Sequence, residues 1–395
     1  MTHTPATESD LCAIVAEARA KKTPLAIEGG GTRAGLGRPV QTAETVSMRG
    51  IDGIVFYEPA EMVICARAGA SLAAVQALLA ERNQILPFEP PDHRRLYGSS
   101  GEPTIGAIAA CNLSGSRRIA VGAARDALIG VRFVNGVGEA IKNGGRVMKN
   151  VTGLDLVKLS AGAHGTLGAL TEVTFKLLPK PETSATLVLN GLDDSRAVQA
   201  LSQALGSPFE VSGAAHLPAG IRGDSARTLL RIENFENSVR YRIGELRKLV
   251  GGDVVLDDAA SRDLWRDVSE CGFFAAQDDQ HAARAIWRVS TAPSRAPDFV
   301  RIVQRAGAVA HYYDWGGGLV WLAVDAAGDA RANDIHAAIG VVGGHATLVR
   351  APEEVRAHVE VFQPLAEPLM QLTRNVKASI DPDGILNPGR MYAGV

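Results

Sequence analysis

The spacing of apolar residues predicts an alternation of helices and short strands over the first hundred positions. Residues 10–20 carry apolar side chains three or four positions apart behind the polar caps Ser9 and Asp10, as in an amphipathic helix. Residues 71–82 show the same stripe, with Ser71 at the position of a helix N-cap. Strands are predicted where β-rich runs stand between turn residues, at 24–27, 42–48, 53–57 and 62–66.

The pattern changes near position 180. Before it glycine is frequent, and strands are predicted at 129–135, 140–141 and 170–178. Pro179 and Pro181 fit neither a helix interior nor a central strand, so we expect a domain boundary there. Beyond the boundary the pattern favours an α+β domain. Its predicted helices and strands include 195–205, 239–250, 228–232 and 318–324.

Composition excludes several classes of protein. With 46% hydrophobic and 21% charged residues over 395 positions, the chain should fold, and its length favours two domains. A net charge of −2 without a basic, aromatic-rich cluster argues against nucleic acid as a partner. Membrane-span and secretory-signal patterns are absent, so we expect a cytoplasmic location, with peripheral membrane association through partners left open. The four cysteines are dispersed, which argues against an iron-sulfur cluster in this chain.

The segment EGGGTRAGLG, Glu28 to Gly37, raises the question of a nucleotide site. A Rossmann loop must open a helix, whose N-terminus then holds the diphosphate. Here Arg38, Pro39 and a β-rich run follow, and no amphipathic stripe appears before Ser71. We therefore reject the Rossmann interpretation. A nest of backbone N–H groups that binds an anion, and a purely structural turn, both stay open.

Two further segments are rich in small residues. PTIGAIAACNLSGSRR, Pro103 to Arg118, surrounds a predicted β-turn, and AGAHGTLGALTEVTF, Ala161 to Phe175, places glycines before an alternating strand. Both segments allow a backbone to approach another group closely. One extended ligand that contacts all three glycine-rich segments explains them more economically than three unrelated turns.

The order of four motifs resembles the flavoproteins of the vanillyl-alcohol oxidase type, which carry PCMH-type FAD-binding domains. The motifs are EGGGTRAGLG, PTIGAIAACNLSGSRRIAVGAARDALIGVRFV, NVTGLDLVKLSAGAHGTLGALTEVTF and DPDGILNPGRMY. The resemblance covers about residues 5–180 and the C-terminus, and is strongest to the FAD-binding subunits of bacterial glycolate oxidases. It implies an α+β fold with two α+β subdomains around FAD, at about 1–57 and 58–179. A cap domain at 180–365 and a returning C-terminal segment at 366–395 complete it.

The resemblance also implies which residues contact FAD. The first loop would bind the diphosphate, the second segment would line the pocket and pass beside the flavin, and the third would hold the adenosine end or the diphosphate. A C-terminal asparagine would return towards the flavin. In chain order these residues are Gly29, Gly30, Gly31, Thr32, Arg33, Gly35, Thr104, Ile105, Gly106, Asn112, Ser114, Gly115, Gly165, Thr166, Gly168, Leu170 and Asn387. A solvated surface position for Arg33 and turn chemistry before Pro388 for Asn387 are the alternatives.

Some members of the family tether FAD through a histidine in the first loop. No histidine lies between His3 and His93, so the resemblance implies non-covalent FAD here. Metal-ligand spacings are not apparent in the sequence, and we expect no metal site.

The catalytic residues stay unassigned. Oxidation of a 2-hydroxy acid needs a cation for the carboxylate and a base for the hydroxyl. Related dehydrogenases supply histidines in H-x-H and H-x-G-D-G-N segments, and this chain departs from both patterns. His311 is the nearest equivalent, with an ordinary strand histidine as the alternative. Arg288, Arg301 and Arg305 are candidates for holding a carboxylate.

The resemblance implies a multi-subunit enzyme. The leading hypothesis is the FAD-binding subunit of a complex that oxidises glycolate to glyoxylate, with a second FAD subunit and an iron-sulfur subunit as partners. Two alternatives stay open. The chain is then either a self-sufficient FAD-dependent 2-hydroxy-acid dehydrogenase or a non-catalytic assembly subunit that keeps the flavoprotein fold.

Overall fold

Helix α1 (Glu8–Lys21) begins at the N-cap Thr7, and its first turn is held by a capping box. The Thr7 hydroxyl accepts a hydrogen bond from the Asp10 N–H, while the Asp10 carboxylate accepts one from the Thr7 N–H. Two otherwise unpaired backbone donors are thereby satisfied. The apolar stripe predicted from the sequence then buries Leu11 and Val15 against the first strands.

The computed structural model describes residues 1–146, 153–278 and 280–395. The other helices are α2 (Leu72–Ala80), α3 (Arg94–Tyr97), α4 (Ile105–Ala110), α5 (Arg118–Val121), α6 (Ala124–Ala127), α7 (Leu156–Ser160), α8 (Asp194–Leu205), α9 (Glu236–Val250), α10 (Asp258–Ser269), α11 (Ala296–Arg305), α12 (Ala332–Val342), α13 (Glu353–His358) and α14 (Glu367–Ile380). The strands are β1 (Thr2–His3), β2 (Leu25–Glu28), β3 (Glu44–Ser47), β4 (Ile54–Glu58), β5 (Val63–Arg67), β6 (Gln84–Ile85), β7 (Leu128–Val134), β8 (Ala140–Gly144), β9 (Ala169–Lys176), β10 (Leu178–Pro179), β11 (Thr183–Asn190), β12 (Gly213–Leu217), β13 (Arg227–Asn234), β14 (Val254–Leu256), β15 (Arg284–Ser290), β16 (Ala310–Asp314), β17 (Leu319–Asp325) and β18 (His345–Arg350).

Two sheets form most of the N-terminal half. Strands β1, β3 and β2 make a parallel sheet, and strands β4, β5, β9, β7 and β8 make an antiparallel one in that order. Helices α2 and α4 pack on the second sheet, where Leu72, Val75 and Ile108 are buried. Glu8 of α1 and Arg132 of β7 join the two sheets through a bidentate ion pair, with both N–O distances at 2.6 Å.

Most of the elements predicted in this half are confirmed, and one is wrong. The helices predicted at 10–20 and 71–82 are α1 and α2, and the Ser71 hydroxyl caps α2 by accepting a backbone N–H. The β-turn predicted within 103–118 is instead the short helix α4, whose N-cap is Thr104. Its glycine and alanine residues carry no clear apolar stripe, and burial against the sheet favours the helix.

An antiparallel sheet of eight strands follows within residues 183–350, in the order β14, β11, β13, β12, β16, β17, β15, β18. Alternate side chains along its strands point to opposite faces. One face packs against α8, α9, α11 and α12. The other face carries Tyr312 and Trp321, which share a buried cluster with Leu36 and Leu96 of the N-terminal half. This common cluster fixes the two halves to each other.

The end of the chain returns to the first sheet. Leu386 forms a parallel bridge with Leu25 of β2. Just before it, the buried Lys377 ammonium donates hydrogen bonds to the Thr166 and Leu386 carbonyls and to the Asp381 carboxylate, each at 2.7 Å. Burial lowers the pKa of Lys377. The C-terminal segment is therefore tied to the turn that precedes β9.

The division into domains at 1–179, 180–365 and 366–395 stays a prediction. The change from the five-stranded to the eight-stranded sheet just after β10 supports it. In the described ranges, the helices are too short or too polar to cross a bilayer.

We expect Glu8→Gln to lower the free energy of unfolding by about 1 kcal/mol at neutral pH, since it removes one partner of a bidentate ion pair. The hydrogen bond from Arg132 outweighs burial and lowers the pKa of Glu8 below its ordinary 4.5. A carboxylate whose pKa is lower in the folded state than in the unfolded state stabilises the fold at pH values above its unfolded pKa. This stabilisation is lost as the pH falls through the folded pKa. The difference between wild type and variant should therefore shrink in acid.

Urea unfolding of both proteins from neutral pH down to about pH 3 checks this expectation. The matched control is Glu17→Gln on the exposed side of the same helix, where the carboxylate pairs with the exposed Lys21. An equal loss of stability in the two variants would count against the role of Glu8.

Candidate functional site

A cleft opens where the glycine loop after β2, helix α4 and the turn before β9 meet. From Gly37 the chain continues through turns into β3, without a helix. The predicted residues that line the cleft are Gly29, Gly30, Gly31, Thr32, Arg33, Thr104, Gly106, Gly165, Gly168 and Leu170. Lining residues that sequence reasoning missed include Cys111, His164 and Arg390. The three glycine-rich segments thus share one cleft.

Because glycine has no side chain, the backbones of the glycine-rich segments can approach their neighbours closely. A Cβ atom on Gly30 would overlap the backbone carbonyl of Glu102, and one on Gly106 would lie 2.7 Å from the carbonyl oxygen of Ala68. Gly31 differs, because a Cβ atom there would meet no protein atom within 4 Å, and its φ is +72°. Gly30 and Gly106 therefore shape the walls, whereas Gly31 faces the open cleft.

The remaining predicted residues do not line the cleft. They are Gly35, Ile105, Asn112, Ser114, Gly115, Thr166 and Asn387. Gly35 packs on the Tyr97 ring, and the Thr166 hydroxyl donates to the Ala163 carbonyl at 2.7 Å. Ile105 is 1% exposed and belongs to the core under the five-stranded sheet.

Asn112, Ser114 and Gly115 hold the segment that leaves α4. The Asn112 side-chain oxygen accepts the Arg125 N–H at 2.9 Å, and the Ser114 hydroxyl accepts the Ala124 N–H at 2.8 Å. Both bonds fix the start of α6. Gly115 is buried, with no room for a side chain beside the Glu89 carbonyl. Residues 150–152, the start of the third family motif, lie outside the described residues.

Asn387 joins two walls of the cleft. Its side-chain oxygen accepts the Ile27 N–H at 2.8 Å, and its side-chain nitrogen donates to the His164 carbonyl at 2.8 Å. The residue is 1% exposed and has φ +43°, a left-handed conformation that asparagine tolerates. It is a positioning residue that fixes the end of β2 against the turn before β9.

Arg33 is buried at the cleft, not solvated at the surface. Its Nη2 atom donates to the carbonyls of Pro91 and Asp92 at 2.6 and 2.8 Å, while its buried Nε atom finds no partner among the described residues. Burial lowers the pKa of Arg33. The Tyr97 hydroxyl and the His93 Nε2 atom are also buried and unpartnered within the described parts of the chain.

Of these three residues Arg33 lines the cleft, whereas His93 and Tyr97 do not. Buried donors and acceptors are nearly always hydrogen-bonded, so the unpartnered Nε atom of Arg33 indicates that a polar ligand binds at the cleft. Burial, then the charges of Arg33 and Arg288, lower the pKa of His93 to about 3, which leaves its imidazole neutral. Sequence reasoning missed His93 and Tyr97 because no motif distinguishes them before the chain folds.

The charge at the cleft favours an anion. Arg390 lines it and donates to the Leu36 carbonyl at 3.0 Å, and burial lowers its pKa. Glu28 lies at the same cleft, where burial raises its pKa. Burial, then Arg390, lower the pKa of His164 to about 4. Two guanidinium groups beside backbone N–H groups suit a diphosphate.

The structure separates the catalytic candidates. His311 lies in the second half of the chain, where its Nε2 atom is 2.8 Å from the Asp194 carboxylate, and it does not line the cleft. Arg301 and Arg305 are exposed on α11. Arg288 alone is half-buried, above the Trp315 ring. Across the described ranges, no cluster of three His, Cys, Asp or Glu side chains is arranged to hold a metal.

Known proteins resemble this chain over part or nearly all of its length. The FAD binding domain family matches residues 1–144. Over 381 residues the chain is 36% identical to glycolate oxidase subunit GlcE of Escherichia coli (strain K12), covering 96% of this chain and 95% of that protein. It is 36% identical over 148 residues to glycolate oxidase subunit GlcD of Bacillus subtilis (strain 168), covering 38% and 29%. Alkyldihydroxyacetonephosphate synthase superposes with a TM-score of 0.70 at 15% identity, covering 98% of this chain and 75% of that one.

The fold and the glycine-lined cleft define an FAD-dependent oxidoreductase with a PCMH-type FAD-binding domain, as the family resemblance predicted. FAD is the cofactor that the matched domain binds. Within that class, the chain belongs to the family of the glycolate oxidase subunit GlcE.

We expect Asn387→Ala to lower the free energy of unfolding by about 2 kcal/mol, because it leaves the Ile27 N–H and the His164 carbonyl without their partner. It should also reduce the flavin that copurifies with the chain, since the two walls lose their link. Denaturant unfolding and absorbance at flavin wavelengths measure the two effects. Asn375→Ala on the exposed face of α14 is the control, and similar losses in both variants would refute the positioning role.

Proposed function

We propose that the chain is the FAD-binding subunit of a glycolate oxidase complex, which oxidises glycolate to glyoxylate. The cleft shared by the three glycine-rich segments, with the unpartnered buried Nε atom of Arg33, is the single observation that carries the proposal. The similarity to GlcE along nearly the whole chain supplies the substrate.

The residues at the cleft fit the cofactor. Arg33 and Arg390 supply positive charge for the diphosphate, and Gly31 leaves room for it beside the loop backbone. The Arg33 Nε atom is then available to polar atoms of the bound cofactor. FAD supplies the two-electron oxidising chemistry when bound. The chain's own residues hold it, orient it and shield it from water.

Further subunits complete the electron path in this proposal. Cys111 packs against the core cluster that contains Cys271, whereas Cys12 packs against a different one. Among the described residues no three His, Cys, Asp or Glu side chains are grouped to hold a metal, so these thiols are not placed to share an iron-sulfur cluster. We assign that cluster to an iron-sulfur partner, and a second flavin to a GlcD-like partner. The assembly would be cytoplasmic, with attachment to the membrane through partners.

We expect Gly31→Ala to weaken FAD binding at least tenfold, because its methyl group would project into the open cleft. Gly191→Ala is a closely matched control: its φ is +74°, a Cβ atom there also meets no protein atom within 4 Å, and it lies in a turn away from the cleft. Both variants carry the strain of a left-handed alanine, about 1–2 kcal/mol. Fluorescence titration of the flavin-free chains measures the affinity. Equal affinities would contradict the assigned site.

The function itself is tested by purifying the chain with and without its neighbouring subunits and adding glycolate under anaerobic conditions. We expect bleaching of flavin in the complex, and loss of glycolate-dependent dye reduction in a complex that carries Gly31→Ala. Full dye reduction by a complex whose chain has lost its flavin would favour the assembly subunit. Turnover by the isolated chain would favour the self-sufficient dehydrogenase.

A further inference from the structure

Two arginines share one tryptophan ring at the boundary between the halves of the molecule. The Arg118 Cζ atom lies 4.3 Å from the centroid of the Trp315 ring, and the Arg288 Cζ atom lies 4.9 Å from it. Arg118 belongs to α5 of the N-terminal half, and Arg288 belongs to β15 of the large sheet. Cation–π contacts with the ring hold both guanidinium groups in place.

The two guanidinium groups lack direct polar partners among the described residues. Within the described parts of the chain, the side chains of Arg118 and Arg288 form no hydrogen bond or ion pair. The neighbouring arginines show the contrast. Arg117 pairs with Glu233 at 2.6 Å, and Arg231 pairs with Glu89 at 2.8 Å. Arg117 and Arg231 therefore form ion pairs with carboxylates, whereas Arg118 and Arg288 do not.

The carboxylates whose charges act on the two arginines are already engaged in hydrogen bonds. Asp126 acts on Arg118 and accepts the Ala123 N–H at 2.8 Å, and Asp314 acts on Arg288. Asp314 is buried, and its two oxygens accept the Ser116 hydroxyl and the Trp315 N–H, each at 2.7 Å. Burial raises the pKa of Asp314 to about 7. Burial, then the charge of Arg118, lower the pKa of Arg288 to about 10. Among the described residues, two half-buried cations thus lie beside one ring without a carboxylate in direct contact, which favours the binding of an anion there.

The pair is close to the segment that the family resemblance places beside the flavin. The Trp315 indole N–H donates to the Gly115 carbonyl at 3.1 Å. On the other side, Arg288 is paired in register with Trp321, whose ring lies 6.1 Å from that of His93. Arg118 and Arg288 are both half-buried, so part of each residue stays exposed to solvent.

We propose that Arg118 and Arg288 bind the carboxylate of the small 2-hydroxy acid. Guanidinium groups match a carboxylate with paired N–H donors, and here two of them lie against one indole ring. This inference rests on the proposed function for the identity of the acid. It goes beyond that function, because it assigns substrate binding to this chain and not to a partner subunit.

The test uses the purified full chain loaded with FAD and titrated with oxalate, a two-carbon acid that carries no hydroxyl-bearing carbon to oxidise. Calorimetry and tryptophan fluorescence report binding without any turnover. We expect Arg288→Gln and Arg118→Gln each to raise the oxalate Kd at least tenfold, and Arg288→Lys to raise it less because the charge remains. Arg301→Gln on the exposed face of α11 should leave the Kd unchanged.

Flavin absorbance and denaturant unfolding of the same samples separate the two proposals. A folded chain that binds no oxalate, or that binds it equally in all variants, overturns the carboxylate site whether or not flavin is present. Stronger binding of inorganic phosphate than of oxalate at the same arginines also overturns it. Oxalate binding that depends on both arginines in a chain without flavin supports the site while contradicting the proposed function.

Discussion

The close approach of two backbones is the constraint on which the rest of the structure depends. The loop after β2 lies against residues 102–106 because Gly30 has no side chain to collide with the Glu102 carbonyl. Helix α4 lies equally close to β5 and the residues after it through Gly106. These contacts place the loop, the start of α4 and the turn before β9 around one cleft. The proposed diphosphate site is thus a gap between backbones, lined by backbone N–H groups and arginines.

The C-terminal segment joins two of the elements that form the cleft. Leu386 extends the first sheet, and Asn387 links β2 to the turn before β9. Lys377 pairs with Asp381 and donates hydrogen bonds to the Thr166 carbonyl of that turn and to the Leu386 carbonyl. The last residues of the chain are therefore part of the structure of the FAD-binding half. Its geometry depends on the returning segment as well as on the glycine motifs.

Arginines have three different roles where the two halves meet. Arg33 is buried and satisfied in part by backbone carbonyls beside the cleft. Arg117 and Arg231 form a compensated network with Glu89 and Glu233, which holds the large sheet against the N-terminal half. The Arg118 and Arg288 side chains keep their charge above Trp315. Charge type alone does not separate these roles, since each depends on which carboxylate or carbonyl lies within reach.

The sequence by itself determined the local elements and the order of the motifs. Apolar periodicity and caps such as Ser71 fixed the helices and strands, because they act within a few residues, and the β-rich run after Gly37 excluded a Rossmann helix. The short helix α4 was not predicted, because its small residues form no apolar stripe at helical spacing. Only the tertiary structure decided that Asn387 bonds to Ile27, 360 positions away, and that His93 and Tyr97 lack partners. Hydrogen bonds and desolvation depend on distance in space, and the chain must fold before those distances exist.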